Sequence, residues 1–460
     1  SEDVIEVSPD LNIAIDIQGG DPTAPATPGD SLTYLTPFGE GSTYTPTGAD
    51  SGTIAATGGF QTVTFDEIES VTLGGSVTVT GTADDDVLTI TATSANAGTY
   101  QIVSGGVPGP VININSITDF TFNGGAGDDT LIIDNSAIPG TAGSDLFDPV
   151  DGITFNGQGN TGVGDSLQIL GGDATTVEHE FTNANDGFVF YDGEGTATIT
   201  YTGLEPILDS IVAANRIFSY TGGDETITLD DDTGAVADYS QIGSTLGELV
   251  TFLNPTDSLE IDASASGGSD TDVIDIEGID VNFDADLSVI GSVGDDDSVN
   301  FEATNIGAGN LFVDVDGTVT IYDQFTTTGT VGINAGLIDF FAGPFTLSAG
   351  AGLSQLTSDT DILLGEIASA GDVALDATGD IIDDNGVTNN ISATNVILTA
   401  GTDIGAGDAL DLDVGALEAS AGAAINVSNS SGATLTVGGL SGSIDGLEAG
   451  TGISLTTDAN

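Results

Sequence analysis

The residues best equipped for chemistry are aspartates held in glycine-rich turns. Residues 124–132 read GGAGDDTLI and fit the pattern G-G-x-G-x-D-x-U-x, in which Gly125 and Gly127 permit the turn and Asp128 and Asp129 supply carboxylates. Related turns carry Asp84, Asp85 and Asp86 (GTADDDVL), Asp270 and Asp272 (GGSDTDVI), and Asp295, Asp296 and Asp297 (GSVGDDDSV). Carboxylates and turn carbonyls are hard oxygen donors. Such a set suits Ca2+, and suits Mg2+ less because that ion gives up its water reluctantly. These positions are the expected metal ligands and Ca2+ the expected cofactor. A competing reading needs no ion, since Asp and Gly are good turn formers in their own right. What favours the ion is that clustered carboxylates repel one another when nothing lies between them.

Other chemistry is thinly supplied. His179, the one histidine, sits in TTVEHEFTN between Glu178 and Glu180, and reads as an ordinary strand residue. No G-x-S-x-G elbow accompanies it, so a Ser-His-Asp arrangement has no support. Arg216 is the one cation and is expected to tie down a junction through a carboxylate or a carbonyl. Cleavage of an acidic polysaccharide calls for cations near the substrate carboxylate, and Trp, the usual sugar platform, is absent. The chain is expected not to be an enzyme, with a carbohydrate-active β-helix as the alternative. A further alternative, an ice- or surface-binding solenoid, rests on Thr-x-Thr triplets at 62–64, 78–80, 89–91, 198–200, 226–228, 318–320 and 434–436. Thr is also a routine outward residue of strands.

The chain around these residues has 460 positions, 72 of them acidic and one basic, for a formal net charge of −71. That balance excludes a basic surface for nucleic-acid phosphates or anionic lipid. The absence of Lys and Cys removes a P-loop, a Schiff base, disulfides and thiolate zinc sites. Such charge often marks disorder. Against disorder stand 39% apolar residues and a mean hydropathy of +0.17. No uncharged apolar run reaches the 18 or so residues of a membrane span. The lack of an initiating Met suggests a processed or truncated chain.

The apolar residues alternate. SVTVT (76–80), VLTITA (87–92), TLIID (130–134), SLQIL (166–170), ETITL (225–229), NVILTA (395–400) and many similar runs are short, rich in Val, Ile and Thr, and bounded by Gly, Asp, Asn or Pro. This is strand-and-turn punctuation. One helix is expected, PILDSIVAAN (206–215), with Ile207, Leu208, Ile211 and Val212 on one face. Internal repetition organises the rest: GDSL at 29–32 returns at 164–167, an offset of 164 − 29 = 135, and TFDEIE (64–69) returns as TYTGLE (200–205). The expected divisions are 1–15 as the end of a preceding repeat, modules at 16–150 and 151–285, and a solenoid of shorter coils over 286–460. The expected fold is all-β, a parallel β-helix or β-solenoid of tandem repeats, with tandem β-sandwiches as the alternative for the 135-residue modules.

The segment 353–445, with GDVALDATGDI and TDIGAGDALDLDVGALEASAGAAINV, resembles the repeats of filamentous-haemagglutinin-type bacterial adhesins. GDSLQILGGDATTVEHEFTNANDGFVF, TITYTGLEPI and STLGELVTFLNPTDSLEI resemble the modules of very large extracellular repeat proteins of aquatic bacteria, and the acidic turns are RTX-like. The resemblance implies a secreted or cell-surface structural and adhesive protein: a stalk, fibre or matrix element rigidified by calcium. Its expected partners are other copies of itself and surface or matrix polysaccharide, without nucleic acid and without membrane insertion. A strand such as DVIEV (3–7) is expected to add to a neighbour's open edge, giving head-to-tail growth.

Overall fold

A computed structural model describes residues 3–20, 29–37, 40–48, 50–68, 70–138, 146–159, 162, 164–193, 195–232, 238–264, 271–341 and 346–458. All the regular elements among them are strands or short turns, and no helix is present that could cross a membrane. The chain is all-β and its strands pair mostly in parallel, as the solenoid expectation requires. Two compact units form, Ser1–Ala213 with Gly247–Leu253, and Ala214–Leu246 with Asn254–Asn460.

Alternation in sequence becomes alternation in space. In Asp165–Leu170 and Thr130–Asp134 every second residue is buried, because successive side chains of a strand point to opposite faces. Parallel pairing then stacks like on like. In the first unit Leu88, Leu131, Leu167, Ile207 and Val250 form one inward column, each partnered with the next. Ile90, Ile133 and Ile169 form a second beside it. Successive members of the first column lie between 36 residues (Leu131 to Leu167) and 43 residues (Leu88 to Leu131) apart. These long coils accommodate antiparallel excursions, such as Asp86–Ser94 against Ala97–Ser104 and Asp173–Asn183 against Asp186–Tyr191.

The second unit is built on shorter coils. Ile227, Ile274, Val299, Val319, Ile338, Ile362, Ile381, Ile404 and Ile425 make a continuous apolar column. From Val299 onward its members are between 19 residues (Val319 to Ile338) and 24 residues (Ile338 to Ile362) apart. Small residues allow such a narrow coil, since Ala377, Ala400 and Ala421 stack inward where a larger side chain would not fit.

The helix expected over 206–215 is not formed. Leu204–Asp209 is a strand between Asp165–Leu170 and Gly247–Leu253, and Val212–Tyr220 is a second strand. The apparent helical face was one inward strand position, Ile207, and Ile211, buried in the link between the two strands, in a stretch where neighbouring coils offer Leu204–Asp209 a ladder on both sides. Pro206 has no amide hydrogen to give, and the pairing with Asp165–Leu170 skips at that point.

The inward assignment has a direct test. Leu131→Ala empties a fully buried column position and is expected to cost about 2–5 kcal/mol. The adjacent Ile132→Ala acts on the half-buried outer face and is expected to cost markedly less. Equal shifts of the urea midpoint would contradict the register.

Candidate functional site

The acidic turns stack, and their inner carboxylates meet peptide amides. Asp86, Asp129 and Asp165 are each fully buried, two residues ahead of Leu88, Leu131 and Leu167 in the inward column. The amide of Asp86 donates to Asp129 Oδ1 at 2.8 Å, and the amide of Asp129 donates to Asp165 Oδ1 at 2.6 Å. Asp3 donates likewise to Asp30 Oδ1 at 2.7 Å. In the second unit Glu225 donates to Asp272 Oδ1 at 2.9 Å and Asp272 to Asp297 Oδ1 at 2.8 Å. Each bond crosses from one coil to the next. A carboxylate accepting a peptide N–H is a charge-assisted bond, stronger than a neutral one.

Glycine makes room for the second oxygen. A Cβ on Gly124 would collide with Asp129 Oδ2, and one on Gly157 would collide with Asp165 Oδ2. This close approach, rather than metal coordination alone, accounts for the first glycine of GGAGDDTLI. An outer row runs beside the inner one. The amide of Asp128 donates to Asp85 Oδ1 and that of Gly162 to Asp128 Oδ1, both at 2.9 Å. A third row, in the second unit, runs the same way as this outer row and opposite to the inner one, with Asp380, Asp403 and Ala424 donating to Asp361, Asp380 and Asp403 at 2.7, 2.8 and 2.7 Å.

The expected metal ligands therefore divide. Asp86, Asp129, Asp272 and Asp297 are buried and engaged by amides. Asp84 and Asp85 are exposed and line an open depression with Gly105, Gly106 and Gly127. Asp128 is half-buried on the adjacent turn, which Gly125 and Gly127 bring against Thr82 and Asp84. Asp296 is exposed and Asp295 buried, and Asp270 lies outside the described residues. Among the described residues no group of three or more His, Asp or Glu side chains is arranged to hold a metal ion. The oxygens fit Ca2+ in kind, and the carboxylates of Asp84, Asp85, Asp128 and Asp296 are within reach of solvent.

Several members of these rows carried no metal expectation: Asp30, Asp165, Glu225, Asp361, Asp380 and Asp403. The signal for the first three was present in sequence as an acid two residues ahead of an inward apolar residue, in DSL, DSL and ETI.

Electrostatics follow the burial. Burial pushes Asp129 up to about 6; the Asp86 amide opposes the rise, and the charges of Asp165, Asp86 and Asp85 add to it. Burial likewise raises Asp165, against the Asp129 amide and with Asp128 and Glu205 adding to the rise.

The lone histidine and the lone cation lie inside. His179 Nε2 is 3.0 Å from Asp209 Oδ2, both fully buried, and Asp209 continues the column of Ile90, Ile133 and Ile169. Arg216 is fully buried and heads a column with Leu259, Leu287 and Leu311.

On one outward face of the first unit, two columns beside Asp119 are polar and carry no carboxylate. Thr43, Thr78, Thr121, Thr154 and Thr200 stack in register across successive coils. Beside them stack Thr80, Asn123, Asn156 and Thr202, with Asn156 Nδ2 donating to Asn123 Oδ1 at 2.8 Å. The Thr-x-Thr triplet at 78–80 thus continues in space as TFN at 121–123 and 154–156 and TYT at 200–202, with asparagine standing for the second threonine in the two middle coils. No family model matches the chain, and no curated protein matches it.

The inner row makes stability depend on pH. Asp129 has a folded pKa above its ordinary 3.8, so the stability it contributes is complete below that value and lost as pH rises through about 6. In EGTA, the melting temperature is expected to be higher at pH 5 than at pH 8. Asp129→Asn should shrink that difference, whereas Asp129→Ala, which also removes the acceptor, should lower the stability at both pH values by about 1–3 kcal/mol. An unchanged pH profile in Asp129→Asn would contradict the assignment.

Proposed function

We propose that this chain is a structural and adhesive segment of an extracellular β-repeat protein, a stalk, fibre or matrix element of a bacterial surface. The observation that carries the reading is the combination of continuous inward columns with an accessible surface that presents no cation among the described residues, Arg216 and His179 being buried. Stacked coils give length without a large globular core, because each coil needs only its neighbours. The outer acidic turns supply the places where Ca2+ would join one coil to the next, with Asp84, Asp85 and Asp128 as its carboxylates. An ion there screens charges that the inner amides do not reach, and so stiffens the stack. The same cation chemistry serves contacts with other copies of the chain or with acidic surface polysaccharide, which an all-anionic face otherwise repels.

The stacked Thr and Asn columns support a second reading, a face for a neutral periodic partner such as ice or an uncharged glycan lattice. It is the one strip described above in which register, hydroxyls and carboxamides recur without a carboxylate.

Calcium decides the first reading. Titration of the EGTA-treated chain with CaCl2 is expected to release heat and to raise the melting temperature by several degrees. Asp84→Asn with Asp85→Asn should remove part of both effects. No heat and no shift up to millimolar Ca2+ would defeat the calcium reading.

A further inference from the structure

The inward row of acids in the first unit does not stop at Asp165. Counting two residues back from each inward apolar position gives Asp86, Asp129, Asp165, then Glu205 ahead of Ile207 and Glu248 ahead of Val250. At Glu205 the skip beside Pro206 intervenes and the side chain is exposed. At Glu248 the row returns to the interior. Glu248 is 2% exposed, Val250 and Phe252 follow it inward, and Leu249 points out. Its Oε1 is buried without a hydrogen-bond partner, and so is the hydroxyl of Tyr201, itself 1% exposed. Asp129 and Asp165 are each held by an amide from the coil before and Asp86 by the amide of Thr82 in its own turn; ahead of Glu248 the coil before presents the Glu205–Pro206 segment.

An ionised carboxylate there would leave Oε1 with neither solvent nor a hydrogen-bond partner, a state that burial disfavours, whereas the neutral acid packs as a core side chain. We propose that Glu248 is a proton-operated latch: with its proton it holds Gly247–Leu253 against Leu204–Asp209, and on losing the proton it loosens that pairing. The surroundings point the same way. Burial lifts Glu248 to about 8, and the charges of Glu205 and Asp186 add to the lift. The Tyr201 hydroxyl is pushed well up as well, by burial first and then by Glu248 and Asp186.

The strands packed against Gly247–Leu253 bring no cation to Glu248. Leu204–Asp209 carries Glu205 and Asp209, and Asp209 is taken up by His179. Asp173–Asn183 carries Asp173, which is exposed, and Glu178 and Glu180, which alternate with the buried Val177, His179 and Phe181 and so lie on the opposite face.

The folded pKa of Glu248 lies above its ordinary 4.5, so the latch is closed in full below that value and weakens as pH rises through about 8. Hydrogen exchange on the full chain in EGTA, expressed as protection factors from pH 5 to 9, tests this. Protection of amides in 204–209 and 247–253 is expected to fall by up to about tenfold per pH unit between pH 5 and 8, and then to level off. Glu248→Gln should abolish that fall in these two segments and leave 130–134 unchanged. Parallel profiles in the two proteins would overturn the latch. Should the variant fail to fold, isotope-edited infrared spectra of the unmodified chain with labelled Glu decide. A protonated carboxyl band that persists at pH 7 and vanishes by pH 9 supports the proposal, and its absence at pH 7 overturns it.

Discussion

A peptide N–H at the start of a strand points along the stacking direction of a solenoid, and in this chain a carboxylate of the next coil meets it. Asp86 to Asp129 to Asp165, and Glu225 to Asp272 to Asp297, are the same bond repeated. It does two things at once. It occupies an amide that the turn would otherwise leave without an acceptor in a buried place, a deficit of about 1–3 kcal/mol per group. It also sets the register, because the acid is always two residues from the apolar side chain that enters the core. Slip that register by one and every inward residue of the coil turns to solvent.

The need for an acceptor explains why the chain spends so many carboxylates and almost no cations. Asn can do the work, and does at Asn310 and Asn390, which accept from Thr330 and Asp411 at 2.9 and 2.8 Å. An Asn also brings two hydrogens that need acceptors of their own. Asn390 finds them in the carbonyls of Leu364 and Gly365 and in Asp383. Where the second oxygen lies against a glycine, as at Asp129 and Gly124, it is buried and makes no hydrogen bond. There the acceptor-only side chain fits, and its charge is tolerated through the amide dipoles rather than through an opposite ion.

Much of this was legible in the chain and some was not. Alternation in runs such as TLIID and SLQIL is a property of one strand, so the strands and their inward faces could be read directly. The acidic turns could be seen, and so could their recurrence. What joins a turn to its neighbour is a contact between residues 36 or 43 positions apart, and a single sequence carries no mark of which oxygen meets which amide. Hence GGAGDDTLI read as a set of ligands, although its Asp129 is spoken for by the backbone of Asp86. The segment 206–215 failed for a related reason: Ile207 and Ile211 are four apart, which is a helical spacing and also two strand repeats. Only the flanking coils, which supply partners on both sides of Leu204–Asp209, decide between them. His179 could be read as a strand residue, and its alternation with Val177 and Phe181 marks it as inward; its pairing with Asp209, 30 positions away, has no mark in the sequence.

The amide bonds settle the local problem of each buried carboxylate and leave the collective one in place. A dipole satisfies a charge at hydrogen-bond distance, but its field falls away quickly, while the repulsion among carboxylates spaced along a stack adds up over a Debye length of about 8 Å at physiological salt. Neighbouring coils lie only about 4.8 Å apart, so each acid of a row sits within that range of the acids above and below it. Protons relieve the strain where burial is deepest, as the raised values of Asp129 and Glu248 show. The acids of the outer row, Asp84, Asp85 and Asp128, lie nearer the surface. Those positions are open to divalent cations, which carry two charges into the turn without needing the carboxylates to become neutral. The inner and outer rows thus meet one electrostatic problem at different depths: amides and protons serve the inner row, and the outer row faces solvent.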